Sequence, residues 1–194
     1  MKKQGRTYIV PHRRRREAKT DYRQRLELLK SGKNRLVIRR SVSNMTCQVV
    51  QYGKAGDKTL ATADSRQLKK FGWKANTGNL PSAYLTGYLC GLKAKAAKVT
   101  DAIMDMGLYD SVKGSRVYAC LKGALDAGLK IPHSEEILPK DDRFTGKHVE
   151  KYASELKKAD PEKYKRQFSA LLKNKLEPEA LSKHFEEVKT KLKA

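Results

Sequence analysis

Over residues 35–64 apolar and polar side chains alternate with the two-residue period of a half-buried sheet. In 35–39, Leu36 and Ile38 fall on one face while Arg35, Val37 and Arg39 fall on the other, so one side seeks a core and the other carries guanidinium groups. Residues 40–44 read as a turn, because Ser and Asn can hydrogen-bond their own backbone. Alternation then resumes with Met45, Cys47 and Val49 against Thr46 and Gln48, which predicts an antiparallel hairpin with one polar, basic face. A loop through Gly53 and Gly56 leads to a third strand over 59–64, in which Ala61, Thr62 and Ala63 define no clear inner face.

A three-to-four-residue period governs much of the rest. Asp21 is placed to cap a helix over 22–30, with Leu26 and Leu29 inward, Arg23, Arg25 and Lys30 outward, and a stop at Ser31-Gly32. Residues 67–81 read as a lysine-rich loop, with Trp73 filling a core edge. A helix is expected over 82–99, and its Ala83, Gly87, Gly91 and Ala94 share one side, permitting close packing on a sheet. The short apolar run 102–107 suits a buried strand after this crossover helix. A second helix over 116–127 repeats Val117, Cys120, Leu121, Ala124 and Leu125 at helical spacing and meets Gly128 where a C-terminal cap belongs. The expected fold is α/β: a mixed sheet with an antiparallel hairpin and a βαβ crossover, two helices on one face, a basic N-terminal arm and a helical C-terminal extension.

That extension is predicted as three helices, 145–158, 161–174 and 178–192, the last two opening at Asp160-Pro161 and Glu177-Pro178. Leu171, Leu172, Leu176, Leu181, Phe185, Val188 and Leu192 give it a thin apolar stripe, which either docks on a partner or packs these helices together. The chain divides into a basic arm and helix (1–33), an α/β core (34–134), and a linker with the helical extension (135–194).

Charge changes the picture more than length does. The 194 residues carry 43 Lys and Arg against 21 Asp and Glu, a formal net charge of +22. A surplus this large calls for a polyanionic partner or extensive solvation. It is concentrated at the start: 15 basic against 3 acidic residues in 1–40, 13 against 6 in 41–134, and 15 against 12 in 135–194. Residues 1–16 hold Arg6, Tyr8 and the run Arg13-Arg14-Arg15-Arg16 and cannot form a core. Guanidinium forks can grip phosphate at two points and a tyrosine ring can stack on a base, so this segment reads as an arm that orders on RNA. A solvated tail or a nuclear-localisation patch is the competing reading of the same run.

Catalysis finds little support. The histidines His12, His133, His148 and His184 lie in four separate segments, and no Cys/His pair has zinc-ligand spacing. Neither GxGxxG nor GxxxxGK[ST] occurs. The best enzymatic alternative is a magnesium nuclease using Asp64, Asp101 and Asp105. Cys47, Cys90 and Cys120, odd in number and set in apolar surroundings, suit reduced core thiols rather than a disulfide framework. With no apolar run able to cross a bilayer and no secretory h-region, the expectation is a soluble intracellular protein without cofactor, metal, membrane partner or small-molecule substrate.

Several stretches together resemble one family. They are Arg13-Arg14-Arg15-Arg16-Glu17 followed by Lys19-Thr20-Asp21-Tyr22; Arg35-Leu36-Val37 with Ser41 and Gln48; Phe71-Gly72-Trp73-Lys74; Ala83-Tyr84-Leu85-Thr86-Gly87; Lys113-Gly114-Ser115-Arg116-Val117; Leu121-Lys122-Gly123-Ala124 with Asp126-Ala127-Gly128; and Ile131-Pro132-His133-Ser134. From about residue 5 to 153 the chain resembles the universal large-subunit ribosomal protein that binds 5S ribosomal RNA, number eighteen in bacteria and five in eukaryotes, and most closely its archaeal members. The resemblance implies a cytoplasmic, ribosomal, non-enzymatic protein of the central protuberance that holds 5S rRNA against the large-subunit rRNA. Neighbouring ribosomal proteins, including large-subunit protein five, would be its partners. It also implies that Arg6, Tyr8 and Arg13 to Arg16 run between RNA segments, while Lys19, Tyr22, Arg39, Arg40 and Ser41 meet 5S rRNA. Arg23, Arg35, Asn44, Gln48 and Lys74 complete the expected RNA-contact set. In the hairpin loop this chain departs from its relatives, carrying Val42 and Asn44 where they have Asn and His. A general basic RNA chaperone is the alternative within the binding class.

Overall fold

The computed structural model describes residues 5 and 7–193. In chain order these form α1 (Arg13–Arg16), α2 (Tyr22–Lys30), β1 (Arg35–Arg40), β2 (Met45–Gln51) and β3 (Lys58–Asp64), followed by a 3₁₀ run (Ser65–Phe71). Then come α3 (Leu80–Ala96), β4 (Ile103–Asp105), α4 (Arg116–Asp126), α5 (Asp141–Thr145), α6 (Lys147–Ala159), α7 (Pro161–Gln167), α8 (Ser169–Lys173) and α9 (Leu181–Lys193).

The four strands make one mixed sheet in the order β3-β2-β1-β4. β1 and β2 pair antiparallel, with Leu36 opposite Val49 and Ile38 opposite Cys47, so the apolar halves of both strands share a face. β4 runs parallel to β1, with Leu36 beside Met104, and α3 supplies the crossover that a parallel pair requires. The α/β class, the hairpin, the crossover, the paired covering helices and the helical C-terminal region agree with the sequence expectation.

On the inner face Leu36, Ile38, Met45, Cys47, Val49, Ala61 and Ala63 are buried. Fully burying a Leu or Ile side chain contributes about 1.5–3 kcal/mol, which anchors β1 at the centre of the core. β3 does have an inner face. It is built from alanines opposite Val49 and Cys47, whose small side chains leave room for α3 to lie close. α3 itself is buried on every side from Pro81 to Gly91, a central helix rather than an amphipathic one. Its start is fixed by Asn79, whose side chain accepts the Ser82 amide at 3.0 Å.

The small-residue side of α3 faces α4, not the sheet. A Cβ added at Gly87 would collide with the Cys120 carbonyl, and one added at Gly123 of α4 would collide with the Tyr84 carbonyl. The glycines thus let two helix backbones touch, and their cost of about 1 kcal/mol each against alanine is offset by that contact.

Other expectations change. The start of the predicted 67–81 loop is the 3₁₀ run, capped by Asp64 and closed at Gly72. The predicted helix 161–174 breaks at Phe168 into α7 and α8. The C-terminal stripe does not pack only on itself: Leu176, Leu181, Phe185, Val188 and Leu192 join the main core. Phe144 stacks on Tyr84 with centroids 4.5 Å apart, and Phe185 meets the same ring at 5.4 Å. Ala153, Leu156, Tyr164 and Phe168 form a smaller cluster of their own. Trp73 is a core-edge residue, 3 % exposed, with its indole N–H donating to the Asn76 carbonyl at 3.1 Å.

Candidate nucleic-acid interface

The outer face of the sheet, α1 and α2 enclose a groove of about 600 Å³. Its walls are made by local sequence rules. Asp21 accepts the Arg23 and Gln24 amides and starts α2, which ends at Ser31. Before it, Ala18 adopts a left-handed backbone (φ 49°), with its amide donating to the Arg15 carbonyl and that of Lys19 to the Arg14 carbonyl. This conformation costs a side-chain-bearing residue about 1–2 kcal/mol. It folds the arginine turn back toward α2, where Arg14 Nε donates to Thr20 Oγ1 at 2.9 Å and the His12 ring lies 5.0 Å from that of Tyr22.

α2 does not sit as its pattern suggested. Leu26 points to solvent at 56 % exposure, and the side turned toward the groove carries Tyr22, Arg25 and Leu28. The reason is electrostatic. Arg25 Nη2 donates to both carboxylate oxygens of Asp57, at 3.0 and 2.8 Å, and draws that side of the helix to the sheet.

From there an ion chain crosses the outer face. Arg35 donates from one nitrogen to Asp57 at 2.7 Å and from the other to Asp105 at 2.8 Å. Arg39 donates to the other Asp105 oxygen at 2.8 Å, and to the carbonyls of Asp105 and Ile38 at 2.7 and 2.8 Å. The Gly107 amide also donates to Asp105 at 3.0 Å. Gly107 has φ +65°, and a Cβ there would press on the Arg39 guanidinium at 3.0 Å, so glycine is needed on both counts. Burial pushes the Asp105 pKa up, but the hydrogen bonds and charges of Arg39 and Arg35 outweigh it and hold the carboxyl below the usual carboxylate range.

The expected contact residues therefore separate. Arg35 is 3 % exposed with its fork engaged by carboxylates, so it supports the surface from beneath instead of meeting a ligand. Arg14, Lys19, Tyr22, Arg39 and Gln48 line the groove together. Arg13, Arg15, Arg16 and Tyr8 are exposed beside it, as is Arg23 on α2. Glu17 takes Arg13 at 3.4 Å and Lys19 at 2.9 Å, both in solvent. At the hairpin, Arg40 lies over the Tyr109 ring, 5.0 Å to its centroid. Ser41 Oγ accepts the Asn44 amide at 3.0 Å, and Asn44 Oδ1 accepts the Thr77 hydroxyl at 2.9 Å, so both residues shape the loop. Val42 is left 96 % exposed at its tip. Lys74 is set apart from the groove, beside α8 and α9. Arg6 lies outside the described residues.

Sequence reasoning missed Asp57, Arg25 and Tyr109 and cast Asp105 in another part. One signal was available: an arginine on a strand that a helix covers needs a carboxylate. The carboxylates of the nuclease alternative do not converge, because Asp64 is on β3 and Asp105 on β4, at opposite edges of the sheet and about 14 Å apart by strand spacing. Asp64 instead holds Arg66 and Thr46, and among the described residues no group of three or more His, Cys, Asp or Glu could hold a metal ion.

A groove walled by an arginine turn, a tyrosine and a basic strand face, set on an α/β platform, has the charge and ring chemistry that suit a polyanion. The chain matches the family described as ribosomal large subunit proteins 60S L5 and 50S L18 over residues 6–100 and 92–134, and it belongs to that family. It is a structural constituent of the large ribosomal subunit, with ribosomal RNA and ribosomal proteins as partners and the cytoplasmic ribosome as its location. The match spans about two thirds of the chain and ends before α5.

Proposed function

We propose that this protein, an archaeal-type member of its family, binds 5S rRNA with the arm and the outer sheet face and attaches it to the large-subunit rRNA in the central protuberance, next to ribosomal protein five. The observation that carries this reading is the placement of Arg13, Arg15, Arg16 and Arg23, exposed around a groove lined by Arg14, Lys19, Tyr22, Arg39 and Gln48. Tyr8 is exposed beside the same groove, and Arg6 joins the proposed contact set from its place in the sequence alone. Arg40, Ser41 and Asn44 present the hairpin loop at its other end, and Arg35 holds the strand face in place from below.

Phosphate neutralisation would supply most of the affinity. Shape would supply most of the selectivity, since the floor of the groove is fixed by ion pairs. In this reading residues 1–33 form the gripping arm and helix, 34–134 the platform, and 135–194 an extension that braces the platform. No chemical step is involved.

The test is a competition titration with labelled 5S rRNA at physiological salt with magnesium present. Transfer RNA should compete only at concentrations about a hundredfold higher, a gap of about 2.7 kcal/mol. Replacing Arg13 to Arg16 with Ala should lower the salt slope by about three. Equal competition by transfer RNA would make the protein a general basic RNA chaperone, and an unchanged slope would remove the arm from the interface.

A further inference from the structure

On the other side of the sheet, elements over a hundred residues apart assemble a second cationic surface. The 3₁₀ run brings Lys69 and Lys70, residues 72–74 bring Lys74, and α9 brings Lys191, all exposed. None of these four lies within ion-pair distance of a carboxylate among the described residues, in contrast to Lys113 and Lys157, which pair with Glu136 and Glu179.

The joint that gathers them is built. His184 of α9 accepts the Lys74 amide at Nε2, 3.1 Å away, and stacks on Trp73 with centroids 5.2 Å apart. Asn174, at the end of α8, donates to the Lys74 carbonyl at 2.8 Å. Lys191 Nζ is 3.7 Å from where a Gly72 Cβ would stand, which brings the α9 ammonium up against the turn that follows Lys69 and Lys70. Glu187 is the acid at this joint, 3.8 Å from His184 Nδ1 and mostly in solvent. Holding like charges together costs self-repulsion that a polyanion would relieve.

We infer that this joint is a second phosphate-backbone site, through which the C-terminal helices take a second RNA segment while the arm groove holds the first. The proposal rests on the 5S reading for the identity of the first RNA. The surface itself does not depend on it, because it shares no residue with the groove and lies with α3 and α9 on the covered side of the sheet. It gives a role to residues 135–193, which bring His184 and Lys191 to the platform and lie beyond the family match. Lysine suits such a site, since a flexible point charge follows a backbone without demanding one base sequence.

The experiment is a two-step capture with the full chain. Immobilised 5S rRNA is loaded with protein, and a labelled structured fragment of large-subunit rRNA is then added, with protein-free 5S rRNA as the blank. Wild type should capture the fragment. K69Q/K70Q/K191Q should load on 5S rRNA within about twofold of wild type yet capture tenfold less fragment, and its salt slope for the second step should fall by about two. The triple Lys→Arg variant should restore capture and show that charge is what is lost. Capture by K69Q/K70Q/K191Q equal to wild type, or preference of this surface for an acidic protein over the fragment, overturns the proposal. Failure of the 5S reading shows elsewhere, as equal loading on immobilised transfer RNA in the first step.

Discussion

The two faces of the central sheet are made by alternate residues of the same strands and are held by different physics. Leu36, Ile38, Cys47 and Val49 look inward to α3 and need only shape and the absence of polar atoms. Arg35, Arg39 and Gln48 look outward, where cohesion comes from Asp57 and Asp105, which engage both terminal nitrogens of Arg35 and leave its buried Nε without a partner. The comparison teaches that one sheet is made rigid twice: by close packing below and by a fixed ion chain above.

The sharpest way to break the inner face is Gly123→Val. Its added side chain meets the Tyr84 carbonyl in a backbone contact that cannot yield, and the expected loss is more than about 4 kcal/mol in chemical denaturation, or failure to fold. The corresponding break of the outer face is Asp105→Asn, which leaves the buried Arg35 with half its partners and should cost about 3 kcal/mol. The same variant carries a pH signature. Since the folded state depresses the Asp105 pKa, its stabilisation is complete above the unfolded carboxylate value of about 3.9 and is lost as pH falls through the lower folded value. Wild-type melting temperature should therefore drop more steeply than that of Asp105→Asn as the solution is acidified below about pH 4. A smaller effect sharpens the contrast: Val42→Ser at the exposed hairpin tip should change stability by less than about 0.5 kcal/mol, because neither face depends on it.

The inner face was legible in the sequence because a two-residue period is a local property; Leu36, Ile38, Cys47 and Val49 could be assigned without knowing what covered them. The outer face was legible only in its cations. Its anions come from a loop at Asp57 and a strand at Asp105, 22 and 70 residues from Arg35, and no spacing rule joins such positions. Gly87 announced a close approach but not its partner, since a small residue on a helix fits a sheet or another helix equally well. For α2 the apolar pattern pointed to Leu26, and the ion pair of Arg25 with Asp57 turned the helix instead. The C-terminal stripe was correctly read as apolar and wrongly given only two destinations. Its true partner, the α3 and Phe144 aromatic group, is remote in sequence and has no signature there.

The packing of Phe144 and Phe185 against Tyr84 also sets a clock on synthesis. α3 is complete at Ala96, but the helix that covers its aromatic side begins at Leu181. At ordinary translation rates of about 5–20 residues per second, that separation leaves the side of Tyr84 that meets Phe185 uncovered for on the order of ten seconds while the intervening chain, Phe144 included, is made. During this interval the nascent protein already displays its arginine-rich arm but has not closed its core. A chain caught half-made would thus be sticky in two senses at once, to polyanions through its first residues and to other apolar surfaces through its middle.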